Sequence, residues 1–253
     1  MLNASEHVVC LRGHRIYGRM YEPVGNENGP GILLLNSLFT EANYSRTFLM
    51  NMGRFFCNAG YRTLYLDYVG QGESEGQSSM IRLDTLHDDV QAGIEHLSDL
   101  GGKKVVVIGF RGGAVPAMAH AANSAVALTV LWEPVTAGAE LVRFRRLATS
   151  VRDHHGEDDR IDIGGWRISR VFFDELKHWH IDYAKLPVQS DRLLIVRFAE
   201  SARNCEPARE DGYEVVVHVS SRKFWYLGYR GYCDYTNQAA EITHAFIQRR
   251  VGT

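Results

Sequence analysis

Gly109-Phe110-Arg111-Gly112-Gly113 carries the sharpest chemical signal in the chain. An apolar run precedes it and a stretch of small residues follows. That is the setting of a nucleophile elbow, where the pattern G-x-S-x-G puts a serine on a strained strand-to-helix turn and glycines relieve the crowding. Here Arg111 stands in the serine's place. A guanidinium does not lose its proton at accessible pH, so Arg111 cannot be a nucleophile. The other members of a Ser-His-Asp set are also missing. The loop that should carry the histidine reads Ser220-Ser221-Arg222-Lys223-Phe224-Trp225, while His218 falls in a strand pattern and His244 in the closing helix. Glu200 offers a carboxylate near the position of the acid, with no histidine for it to orient.

Two readings of Arg111 stay open. At the start of a helix the dipole disfavours a cation unless a carboxylate or a bound anion compensates it. In one reading a buried pair between Arg111 and Glu133 plugs the old active site, with Glu41 as a second internal candidate. In the other the guanidinium forks onto the carboxylate or phosphate of a ligand. Ser37 is a conceivable stand-in nucleophile, but the sequence shows no base for it. His154-His155-x-Glu157-Asp158-Asp159 is dense in metal-ligand types, yet adjacent histidines do not share a helix face and no His-x-x-x-His pair occurs. A solvated loop is the better reading, and neither metal nor cofactor is expected. The arginines 143, 145, 146 and 152 either meet an acidic ligand or solvate their segment.

These residues need a scaffold, and its elements are legible. Residues 7–11 and 15–21 read as a hairpin, and residues 31–35 as a strand buried on both faces. Leu49, Met52 and Phe56 share a helical face that Gly60 ends. Residues 61–68 form the next strand, and Leu83, Leu86, Val90, Ile94 and Leu97 recur at helical spacing. Strands follow at 104–110, 125–132, 192–198 and 213–219, with a small-residue helix at 114–123 and a closing helix carrying Ile242 and Phe246. Such alternation means a mostly parallel sheet with helices on both faces. Residues 135–190 break it with a Gly164-Gly165 turn and a helical run of Ile168, Val171, Phe172, Leu176 and Trp179. At about 55 residues that segment is too small to bury a core of its own, so it reads as an inserted cap within one domain spanning 1–253. Trp166 or Trp179 would line the pocket beneath it.

The pieces Leu38-Phe39-Thr40-Glu41-Ala42-Asn43-Tyr44-Ser45-Arg46, Asp67-Tyr68-Val69-Gly70-Gln71-Gly72-Glu73-Ser74, the elbow, Trp132-Glu133-Pro134-Val135 and Phe224-Trp225 together resemble one group of the α/β-hydrolase superfamily. That group is the exosortase A system-associated hydrolases, type 2. The Asp-x-x-Gly-x-Gly-x-Ser piece marks only the superfamily. The resemblance implies an α/β-hydrolase fold with an eight-stranded sheet, an arginine at the elbow, and a Phe-Trp pair near the final strand. It also implies that the elbow strand lies between strands ending at Asn36 and Glu133, with Asn36-Ser37-Leu38 in the oxyanion-loop position. Asp67 is expected to organise its loop rather than to catalyse.

Net charge is −2 in 253 residues, so no global field draws nucleic acid or an anionic membrane. There is no signal-peptide pattern and no apolar run of membrane-spanning length. The four cysteines are scattered, which fits free thiols in a cytoplasmic protein. Two functions follow. One is an enzyme or binder for a small acyl, ester or carboxylate compound, an anionic ligand included, using Asn36, Ser37, Leu38, Glu41, Arg111, Gly112, Glu133 and Trp225. The other is a catalytically silent relative serving exopolysaccharide or secondary-metabolite production.

Overall fold

The apolar run Gly31–Leu35 forms strand β3, and all five of its residues are buried. Its alternate side chains feed two separate cores. Leu33 and Leu35 join one, Ile32 and Leu34 the other. The same split recurs in β5 (Val105–Phe110), where Val105 and Val107 face one way and Val106, Ile108 and Phe110 the other. A strand apolar on both sides needs helices on both sides, and this sheet has them.

The computed structural model describes residues 4–11, 16–25, 29–101, 104–142, 159–182, 190–199, 214–218 and 234–251. In chain order the remaining strands are β1 (Ala4–Leu11), β2 (Ile16–Pro23), β4 (Thr63–Leu66), β6 (Val126–Trp132), β7 (Arg160–Ile163), β8 (Trp166–Ser169), β9 (Leu193–Ala199) and β10 (Glu214–His218). The helices are α1 (Thr40–Asn58), α2 (Leu83–Asp99), α3 (Ala114–Ala119), α4 (Ala139–Val142), α5 (Arg170–His178) and α6 (Asp234–Val251). Eight strands make the main sheet in the order β1-β2-β4-β3-β5-β6-β9-β10. β2 runs antiparallel to both β1 and β4, and every other pair is parallel. The expected eight-stranded, mostly parallel sheet is therefore present.

Local chemistry sets the element ends. α1 closes in a Schellman motif: Gly60 takes φ 93°, its N–H bonds Cys57 O, and Tyr61 N–H bonds Phe56 O. α2 buries Leu86, Val90, Ile94 and Leu97, as the spacing predicts. β4 is shorter than residues 61–68: its partner β3 ends at Leu35 opposite Leu66, and beyond it the Val69 N–H bonds the Asp89 carboxylate of α2 at 2.8 Å. α3 stops at Ala119, short of 123: Asn123 Oδ1 accepts the Ala125 N–H at 2.9 Å, a turn that competes with helical bonding.

Between β6 and β9 lie α4, the β7–β8 hairpin and α5. Gly164 and Gly165 both have positive φ, 59° and 91°, and form the tight turn expected there. The helical run begins later than its spacing suggests. Ile168 belongs to β8, Ser169 caps α5 by accepting the Phe172 N–H at 3.2 Å, and Trp179 ends it. This segment packs on the core that α2 covers, through Ile161, Ile163, Ile168, Phe172 and Leu176. No described helix is long and apolar enough to cross a membrane.

Candidate functional site

β3, β5 and β6 are adjacent in the sheet and parallel, so their carboxyl ends bring Asn36, Arg111 and Glu133 to one edge. Ligands of open α/β sheets bind at such an edge. Three residues without glycine's freedom take positive φ there: Phe39 (59°), Arg111 (51°) and Glu133 (41°). Strained backbone costs about 1–3 kcal/mol per residue and gathers at functional sites.

The glycines of the elbow are there for close approach. A Cβ on Gly113 would lie 2.5 Å from Leu35 O and 2.6 Å from Asn36 O. One on Gly109 would meet Gly113 O at 2.6 Å. The turn therefore presses the end of β5 onto the end of β3, with Arg111 at its apex.

Arg111 does not meet Glu133's carboxylate. Its Nη2 lies 3.1 Å from Glu41 Oε1, and its Nε donates to the same carboxylate at 3.3 and 3.4 Å. Towards Glu133 it donates only to the main-chain carbonyl, from Nη1 at 3.4 Å. The expected Arg111–Glu133 pair is thus corrected to Arg111–Glu41. The reason is prior occupancy: Glu133 Oε2 accepts the Phe198 N–H at 2.7 Å, tying β6 to β9. Glu41 sits in the first turn of α1, where a helix favours a carboxylate. The pair is largely buried, with side-chain exposures of 18% for Arg111 and 7% for Glu41.

A second correction concerns Ser37. A base does face it: Ser37 Oγ donates to Glu41 Oε2 at 2.9 Å and accepts the Gly112 N–H at 3.1 Å. In an elbow, the N–H after the nucleophile position stabilises the reacting oxyanion. In this protein that donor is spent on Ser37.

The loop after β3 is held from several sides. Asn36 Nδ2 donates to Ala42 O (3.1 Å) and Tyr65 OH (2.8 Å), and its Oδ1 accepts from Ser37 N (2.8 Å) and Ser45 Oγ (2.6 Å). Buried Leu38 stacks beside the elbow, with its N 3.1 Å from where a Gly112 Cβ would be. Gln71 reaches across: its Nε2 donates to Ser37 O at 2.9 Å and its Oε1 accepts Phe39 N–H at 3.3 Å. Asp67 serves the neighbouring loop, as expected. It accepts from Tyr65 OH (2.6 Å) and Glu73 N (3.1 Å) and pairs with Arg46 at 3.2 Å. Burial raises its pKa despite those partners. Gln71 and Tyr65 were not foreseen as contributors; the only signal for Gln71 was a polar residue wedged between two turn glycines.

Above this edge, Phe39 meets the rings of Trp166 (6.3 Å, edge-on) and Phe172 (6.1 Å, edge-on). Ser78 Oγ also donates to Arg167 O at 2.9 Å, pinning β8 to the loop after β4. Trp166 is half-buried against the core, and so is Trp179. Glu200, Phe224, Trp225, the loop after β10, residues 154–158 and the arginines 143, 145, 146 and 152 lie outside the described residues. His218 falls in β10 and His244 in α6, as expected.

No protein-family model matches the sequence, and no curated protein matches it. Solved structures do resemble the molecule. GrgF, an alpha/beta hydrolase from Penicillium sp. sh18, superposes with a TM-score of 0.66 at 15% identity over 100% of both chains. DcsB, solved with a substrate analogue, gives 0.65 at 17% identity, covering 98% of this chain and 100% of its own. Est1E of Butyrivibrio proteoclasticus, solved with ferulic acid bound, gives 0.63 at 13% identity over 98% and 100%. With the strand order and the elbow glycines, these likenesses show that the chain has the α/β-hydrolase fold.

Proposed function

We propose that this protein binds a small acyl, ester or carboxylate compound at the carboxyl edge of its sheet, beneath residues 135–190 acting as a cap. In this reading the elbow performs no nucleophilic chemistry. One observation carries it: Arg111 occupies the nucleophile's place and its guanidinium is seated on Glu41. The Gly112 N–H, spent on Ser37, gives the same reading further support. The cap is supported by Trp166 and Phe172 lying on Phe39, one loop away from Arg111. A cytoplasmic setting belongs to the same proposal, while a role in exopolysaccharide or secondary-metabolite production belongs to the alternative, a catalytically silent relative, and is supported by the resemblance of the motifs.

The wild-type protein should neither hydrolyse neutral activated esters nor react with a serine-directed fluorophosphonate. Stoichiometric labelling of any serine in the wild type would sink the reading. Binding is measured separately, by the shift in melting temperature with a panel of carboxylates, phosphates and esters. A panel in which wild type and Trp166→Ala respond alike to every ligand would remove the cap from the proposed site.

A further inference from the structure

The contacts of Ser37 go beyond what a structural hydroxyl needs. Its single proton is given to a carboxylate, Glu41 Oε2 at 2.9 Å, and its oxygen receives the elbow N–H of Gly112 at 3.1 Å. Ser45, equally buried, instead has neutral acceptors within reach of its one proton, Asn36 Oδ1 at 2.6 Å and Glu41 O at 2.7 Å. A hydroxyl whose proton is held by a carboxylate has the base contact of an activated nucleophile. Arg111 lies on the same carboxylate, through Nη2 and Nε. The site thus contains an acid–base pair and a cation that masks it.

We propose that Ser37 and Glu41 form a latent acyl-transfer pair, displaced by one loop from the elbow and unmasked when Arg111 leaves Glu41 for an anionic group on the substrate. This rests on the ligand reading above and names its class: an ester or thioester that also carries a carboxylate or phosphate. Such a group competes with Glu41 for the guanidinium's planar fork. Ser37 is fully buried and its carboxylate partner is held by Arg111, so neutral esters find no activated nucleophile.

The chemistry then balances within the site. Ser37 Oγ attacks the acyl carbon as its proton passes to Glu41. The tetrahedral adduct collapses, and the departing alkoxide or thiolate takes that proton. Water adds to the acyl-serine and gives a proton to Glu41. Collapse releases the acid and returns the proton to Ser37 Oγ.

Two measurements test this. In Arg111→Gln and Arg111→Ala, a fluorophosphonate should modify Ser37 at least tenfold faster than in wild type. Adding Ser37→Ala should abolish the labelling, and adding Glu41→Gln should slow it at least tenfold. Independently of any Arg111 variant, wild type should cleave nitrophenyl hemisuccinate at least tenfold faster than nitrophenyl acetate, with the difference lost in Ser37→Ala. Folded Arg111→Gln with Ser37 unmodified, or equal rates on the two esters, overturns the proposal. Neither result touches the ligand-binding reading, which is tested separately by the melting-temperature panel and falls if no carboxylate, phosphate or ester shifts the wild type.

Discussion

Arg111 shows how one side chain decides what a strand-to-helix turn can do. Removing the cation breaks a largely buried ion pair with Glu41, which costs about 3–5 kcal/mol. Arg111→Ala should therefore lower the melting temperature by roughly 6–20 °C for a chain of this size. Adding Glu41→Gln should restore part of the loss, whereas adding Glu133→Gln should not, because Glu133 is engaged with Phe198. Equal rescue by both would contradict the pairing. Gln71→Leu removes the acceptor for Phe39 N–H and the donor to Ser37 O, and calorimetry should find it about 1–3 kcal/mol less stable. Of these relations, the sequence revealed the arginine and both candidate glutamates. It did not reveal which glutamate was chosen. That choice turns on Glu133's carboxylate meeting a backbone N–H on β9, a contact between residues 65 apart in sequence.

At the scale of elements, periodicity was a good guide where burial follows it and a poor one where hydrogen bonding overrides it. The strands β3, β5 and β6 and the helix α2 are read directly from apolar spacing. The end of α3 is not, because the Asn123 side chain decides it. Nor is the start of α5, where Ile168 fits a helical face yet pairs with Ile161 in the β7–β8 hairpin. The elbow itself is an element-level fit, since Gly113 has backbone oxygens 2.5 and 2.6 Å from any added Cβ. Gly113→Ala must push β3 and β5 apart, and should cost about 3 kcal/mol or more in urea unfolding. A variant within 0.5 kcal/mol of wild type, roughly the scatter of surface substitutions, would show the turn to be looser than described.

Taken whole, the molecule carries a pH response far from the elbow. His120 is buried at the end of α3, stacked on His87 of α2 at 4.2 Å, with its Nε2 3.1 Å from His87 O. Burial, with His87 adding to it, holds its pKa down to about 4. The unfolded chain, titrating near 6.5, then binds the extra proton, so this group's share of stability is intact above about pH 6.5 and is lost as pH falls toward 4. His120→Gln should flatten that limb, by on the order of 3 kcal/mol, in melts compared between pH 7 and pH 4.5. An unchanged slope would refute it. The strand order has a kinetic consequence as well. β6 ends at Trp132 and pairs with β9, which begins at Leu193, so the sheet must close across 60 intervening residues. Each doubling of a closed loop costs only about 0.6 kcal/mol of chain entropy. That intervening length is therefore cheap at equilibrium, but the β6–β9 contact has to wait for the ends of a long tether to meet. Refolding should show this junction forming late, and the segment it encloses is the part of the chain freest to diverge while the sheet stays the same.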